Sequence, residues 1–300
     1  MLVACSKNED DAGTETGETY STEIYLTDAP VDNAEVQGVF VTIAEVKVNG
    51  KSLEGFQKTT VELSSLTEGN IKLLGNVELE AGNTSEIVLV LDGAADASGN
   101  APGNYVLTAA GEKKALGNAE TSINLNDKAE ILAGGENELI LDFDLRKSVT
   151  RNAEGTYSFV SDSRLSNSIR AVNKAETGTI TGNISNHATA DADAFVVYAY
   201  EAGSYSESET KVEDGLAFSN AVTSTAVGEA NGEFSLHFIE EGDYQLVFAS
   251  FEDTDNDGSL ELQGQVEMSL TGGLDLNGIT VEADSTIDLD VAIERLLGLH

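Results

Sequence analysis

From Glu23 onward the chain is made of short apolar or alternating runs, each closed by Gly, Asn, Asp or Pro, and this punctuation leaves few windows long enough for a helix. Val39-Phe40-Val41-Thr42-Ile43 and Val46-Lys47-Val48 alternate in the way of strands with one buried face, and the Asn49-Gly50 pair that follows is a tight-turn signal. Further runs at 59–63, 77–79, 85–91, 105–108, 122–125, 129–132, 138–143, 157–160 and 168–172 bring the first half to about a dozen strands, the pattern of a sandwich. A charged polar stretch, Asn173 to Gly178, interrupts the pattern. Beyond it, runs at 179–184, 194–200, 232–239, 243–251, 259–270, 278–281 and 286–291 add about seven more.

The expected fold is therefore all-β: two consecutive β-sandwiches of Greek-key, immunoglobulin or transthyretin type, over residues 22–173 and 178–300. Helix is expected only as one turn at Leu145 to Val149, and Val291 to Leu299 fits either state. Tyr205 to Val227, polar and carrying Gly and Ser, reads as an elaborated loop.

Charge excludes one class of partner. Lys and Arg number 16 against 53 Asp and Glu, a formal net charge of −37. Phosphate backbones bind through Lys and Arg with counterion release, so a surface this acidic repels nucleic acid and anionic headgroups. The apolar runs nevertheless carry enough branched side chains to fold.

Cys5 is the only cysteine, which excludes an intrachain disulfide and Cys-based metal centres. Leu2-Val3-Ala4-Cys5 resembles the lipobox read by bacterial lipoprotein processing enzymes, although the charged and apolar regions of a signal peptide do not precede it. Met1 is accordingly read as a truncated or misassigned start, and Cys5 as the first mature, lipidated residue; the alternative is a chance match at a free terminal thiol. Ser6 to Glu23 is acidic and without apolar period, so residues 1–21 are expected to form a flexible tether, roughly 18 residues spanning about 25 Å. The acidic run after Cys5 also resembles the surface-export signal of some Gram-negative lipoproteins, and equally fits a plain solvated linker. No apolar run is long enough to span a bilayer, so attachment to a membrane is expected through Cys5 alone.

Four segments together carry a family resemblance: Tyr25-Leu26-Thr27-Asp28-Ala29-Pro30, Glu86 to Leu91 after Glu80-Ala81-Gly82, Leu139 to Val149, and Ile169-Arg170-Ala171-Val172. From about Thr22 to Val172 the chain resembles the domain of unknown function 4382 family, which occurs in bacterial secreted lipoproteins. The second region, through Gly178-Thr179-Ile180-Thr181-Gly182 and Glu240 to Leu246, is similar to the regulatory-like sandwiches of carboxypeptidase-type and surface proteins. These resemblances imply a location more than an activity.

Candidate chemistry is sparse. His187, His237 and His300 are the only histidines, and each reads as solvated or on a strand surface, His237 opposite Phe234 and Phe238. No Gly-x-Ser-x-Gly, Walker or His-Glu-x-x-His pattern is present. Asp142 and Asp144 flank Phe143 and could serve a glycosidase or a metal; the competing reading has them accepting from the backbone, Arg146 or Lys147 at a strand end. Tyr198, Tyr200 and Tyr205 are the only local concentration of Tyr, and the first two share one strand face that serves core or solvent equally.

Asp253-Thr254-Asp255-Asn256-Asp257-Gly258-Ser259-Leu260-Glu261 reads D-x-D-x-D-G-x-x-E between two strands, with carboxylates at alternate positions and Gly258 at the sharp turn. It resembles a calcium loop with Asp253, Asp255, Asp257, the Ser259 carbonyl and Glu261 as ligands. Gly264 stands where an EF-hand has its bidentate Glu, and the spacing is closer to the Asp-rich hairpin loops of β-propeller surface proteins such as integrins. A polar hairpin turn is the competing reading.

These readings converge on a non-enzymatic, lipid-anchored protein of a Gram-negative outer membrane or cell surface, on either face, with structural calcium. Its partner would be a glycan or a surface protein. A carboxylate-dependent glycan hydrolase and a structural spacer are the alternatives.

Overall fold

A computed structural model of the chain describes residues 17–28, 36–117, 122–152, 154–211, 216–254, 260–270 and 275–298. Cys5 and most of the expected tether lie outside the described residues. The tether's end does not: β1 (Thr19–Thr27) starts inside it, pairing from Thr19 with Glu80, and Tyr20 packs on the core. A polar sequence becomes strand here because a partner strand supplies its hydrogen bonds and its one aromatic an apolar surface.

The first half contains β1, β2 (Val36–Val48), β3 (Lys51–Ser52), β4 (Thr59–Glu62), β5 (Lys72–Glu80), β6 (Gly82–Asn83), β7 (Ile87–Leu91), β8 (Tyr105–Thr108) and β9 (Lys113–Ala115). It continues with β10 (Ser122–Asn124), β11 (Glu130–Ile131), β12 (Asn137–Phe143), the helical turn α1 (Leu145–Ser148), β13 (Val149–Arg151), β14 (Tyr157–Phe159), a second turn α2 (Asp162–Leu165) and β15 (Ile169–Asn173). One sheet runs β15-β12-β1-β5, with β1 parallel to β12. A second runs β10-β7-β2-β8-β9, with β3 and β4 also on β2, and β6–β11 and β13–β14 form two-stranded pairs beside them. Ile24, Leu26, Leu139 and Leu141 of the first sheet meet Val41, Ile43, Val46 and Leu89 of the second in one core, as the alternation of apolar positions requires. The Asn49-Gly50 turn has φ of 52° and 75°, the doubly left-handed conformation this dipeptide favours.

The second half contains β16 (Thr177–Ile184), β17 (Ala194–Glu201), β18 (Thr223–Ala226), β19 (Glu233–Glu240), β20 (Gly242–Glu252), β21 (Glu261–Leu270), β22 (Ile279–Val281) and β23 (Thr286–Gly298). They form a single sheet in the order β18-β17-β20-β21-β23-β16-β19, with β22 on β20. The sheet coils until its ends, β18 and β19, approach each other, enclosing Ile180, Phe195, Phe234, Phe248 and Leu289 in a sandwich-like core. The undecided C-terminal stretch is therefore strand, fixed by pairing with β16 and β21.

The expected loop after Tyr205 is more folded than its polarity indicates. It ends in β18, and it brings Phe218 and Ala221 over the outer face of β17 and β20, where Val196, Tyr198, Tyr200, Val247 and Ala249 form a further cluster. Phe218 stacks on Tyr198 with centroids 4.2 Å apart. Tyr198 and Tyr200 are thereby core residues, because β17 is covered on both faces.

Candidate functional site

The two halves meet around the end of β12. Among the described residues every strand pair lies within Thr19–Asn173 or within Thr177–Gly298, and a 3-10 turn, Lys174–Glu176, joins them. What crosses the boundary is a set of cationic side chains. Asp144 ends the strand and caps α1, accepting from Lys147 N at 3.1 Å, so the two residues that follow Leu145 are turned toward the second half. Arg146 Nη1 donates to the carbonyls of Ala217 and Phe218 at 3.0 and 3.2 Å, its Nε to Ser224 Oγ at 3.3 Å, and its guanidinium lies over the Tyr198 ring. Lys147 donates to the Ala221 carbonyl and lies 3.5 Å from Asp144 Oδ2. Burial holds the Lys147 ammonium below the usual lysine range, with Asp144 opposing that shift.

Arg170 repeats the arrangement from β15. It faces Asp142 across the β12–β15 ladder, donating Nη2 to Asp142 Oδ2 at 2.9 Å and Nη1 to the Phe238 carbonyl at 2.6 Å. The competing reading of Asp142 and Asp144 is thus the observed one, with a partner for Asp142 that the sequence reading did not name. Phe238 has a left-handed φ of 53°, and the β16–β19 register slips between Gly178 and Ile180. This bulge takes Phe238 off the inner face that Phe234, Leu236 and Ile239 share, while His237 stays opposite Phe234 as expected; what differs is that its face is covered by the first half rather than by solvent. Its Nδ1 lies 2.9 Å from where a side chain on Gly69, φ 76°, would begin. Burial lowers the His237 pKa, with Glu68 opposing. His187 is a loop residue whose ring contacts the Ile184 and Glu229 carbonyls. His300 lies outside the described residues.

Between these contacts opens a cleft of about 370 Å³, lined by Asp127, Asp142, Asp144, Lys147, Arg170, Glu201 and Glu240, with Asn126, Asn167, Ser168 and Val222. Sequence reasoning missed it because its walls come from both halves. A retrospective signal exists: in a chain with 16 Lys and Arg, three lie at Arg146, Lys147 and Arg170, beside the apolar cores of β12 and β15.

The Asp-rich loop is only partly described. Asp255, Asp257 and Ser259 lie outside the described residues. Asp253 and Glu261 lie at the ends of the β20–β21 hairpin: Glu261 Oε2 accepts from both Thr254 N and Oγ1 at 2.9 Å, and Asp253 N donates to Asp193 Oδ2 at 2.9 Å. Among the described residues no group of three or more His, Cys, Asp or Glu is placed to hold a metal ion, and no helix is long and apolar enough to cross a membrane.

Residues 21–161 match the family model described as domain of unknown function (DUF4382). The match covers most of the first sandwich and ends before α2, so Arg170 and the second half lie beyond it. No curated protein matches the chain. Likeness to solved structures, three of which follow, is low. A leucine-rich repeat protein from Bacteroides thetaiotaomicron aligns at 11% identity and a TM-score of 0.22, over 92% of this chain and 26% of its own. The major pilin subunit of Bacillus cereus aligns at 13% and 0.23, over 93% and 71%. The major pilin protein T-13 from Streptococcus pyogenes aligns at 10% and 0.19, over 93% and 100%. Likeness this weak transfers neither fold nor function, and the chain spans about a quarter of the leucine-rich repeat protein.

Proposed function

We propose that this chain is a non-catalytic binding or adhesive module, anchored through an acylated, palmitate-bearing Cys5 to the outer membrane or surface of a Gram-negative cell. Its two β-units, residues 22–173 and 178–300, act as one presenting body, the second being a regulatory-like sandwich. Calcium held by Asp253, Asp255, Asp257, the Ser259 carbonyl and Glu261 braces the β20–β21 hairpin. The observation that carries the reading is the junction: Arg146, Lys147 and Arg170 of the first half donate to four backbone carbonyls of the second, a tie that holds a polar cleft open between two walls. The hydrolase reading is weaker, because the Asp142 and Asp144 carboxylates are already engaged by Arg170 and by the α1 backbone.

The test is retention of glycans and envelope proteins by the Cys5→Ala chain, with calcium and with chelator. Specific retention is expected, strengthened by calcium, with no release of reducing sugar. Reducing-sugar release would replace the module with the hydrolase, and no retention under any condition would leave the spacer.

A further inference from the structure

Five non-glycine residues among those described hold a left-handed φ, and residue type sets two of them apart. Asn49 and Asp284 tolerate this region, and Glu68 stands in an exposed turn. Phe218 and Phe238, each with φ of 53°, are bulky residues for which it is strained. The two share a second property. Each gives its carbonyl to an arginine of the first half: Phe218 accepts from Arg146 Nη1 at 3.2 Å, and Phe238 from Arg170 Nη1 at 2.6 Å. Strained backbone persists only where its surroundings over-determine it, and here part of that determination comes from across the junction.

At Phe218 the consequence reaches a whole segment. Arg146 and Lys147 together donate to three carbonyls within residues 216–221, those of Ala217, Phe218 and Ala221. This segment covers the outer face of β17 and β20, with Phe218 stacked on Tyr198. Among its ties to its own half, Phe218 N donates to the Glu209 carbonyl, Val222 N to the Ala199 carbonyl, and Asn220 to the Glu209 carboxylate. A cavity of about 220 Å³ runs beside it, lined by Tyr198, Leu216, Ala217 and Phe251 of the second half and by Arg146 and Val149 of the first. The segment is therefore not packed solidly against the residues that hold it, the condition under which local opening is easiest. The cluster it covers, with Val196, Tyr198 and Val247, is separate from the inner core of Ile180, Phe234 and Leu289, so uncovering it leaves that core in place. We propose that residues 216–221 form a strap latched from the first half by Arg146 and Lys147, which lifts off Tyr198 when the latch is released while both halves stay folded. This device goes beyond the binding-module reading and does not depend on it.

Hydrogen exchange of the full chain, read by mass spectrometry in urea too dilute to unfold it, tests the strap. In wild type the amides of residues 216–222 should exchange through an opening smaller than the one that frees β12 and β20. Exchange of this segment only together with those strands would overturn the proposal, and this measurement needs no variant. Lys147→Met and Arg146→Met break the latch in the closed state, so each should speed exchange in 216–222 at least about tenfold, the equivalent of one hydrogen bond from a charged donor. Lys147→Arg, which keeps a cationic donor at the Ala221 carbonyl, should restore most of the protection. Arg170→Met cuts the junction at Phe238 instead; that tie persists while the strap is open, so exchange in 216–222 should stay at the wild-type rate even though the chain is less stable. Exchange unchanged in both latch variants would show that the second half alone holds the segment closed. Acceleration by Arg170→Met equal to that by Lys147→Met would show that the segment merely follows the stability of the whole junction. Either result overturns the latch.

Discussion

The two halves solve the same burial problem differently. In the first, two main sheets share one core, and a strand such as β2 largely keeps the in-and-out alternation of a half-buried sheet, broken near its register slips at Gly38 and Glu45 and at Thr42, which is buried under Asn104 and Gly103. In the second, one sheet coils on itself, and β17 is buried on both faces along Phe195 to Tyr200 because a loop closes over its outer side. Alternation is therefore a reliable signature only where one face meets water; a continuous apolar run announces that a second covering layer exists without saying what it is.

That contrast predicts how the halves respond to damage. The largest effect is expected from the cores. Leu141→Ala in the first half and Phe248→Ala in the second remove fully packed side chains, and each should cost about 3–5 kcal/mol. If the junction makes one cooperative body, calorimetry will show both variants lowering a single transition. Two transitions, each moved by only one variant, would show that the halves unfold separately.

A somewhat smaller effect should follow from cutting the tie itself. Arg170→Met leaves Asp142 buried without its cation and the Phe238 carbonyl without its donor, a loss of about 3 kcal/mol. Adding Asp142→Asn should recover part of it. Equal stability of the single and double variants in urea melts would show that the two side chains are not coupled.

The smallest effect concerns pH. The folded-state pKa of His237 is depressed by burial against the first half, so the native state favours the neutral ring. Its stabilising contribution is complete above the unfolded value of about 6.5 and is lost as pH falls through the lower folded value. His237→Gln should therefore flatten part of the decline in melting temperature between about pH 7.5 and about pH 5. An identical decline in both proteins would mean that the carboxylates alone set it.

Most strands were legible in the sequence because their signals are local: alternation in Val39 to Ile43, the Asn49-Gly50 turn, and the helical turn after Asp144. Misreadings occurred where distant partners intervened. Thr19 to Ser21 looks like linker until Glu80 pairs with it, and Phe238 looks like an inward residue until the bulge re-aims it. Spacing alone suggests a calcium loop at Asp253 to Glu261, and its central residues lie outside the described residues.

By itself, the sequence determined an all-β chain, its principal turns, its acidic surface and a break near Asn173, since each of these follows from side chains within a few positions of one another. Only the tertiary structure decided that Arg146, Lys147 and Arg170 form the junction. Their acceptors are carbonyls 68 to 74 residues further along the chain, and a backbone carbonyl carries no side-chain signature by which it could be read in advance.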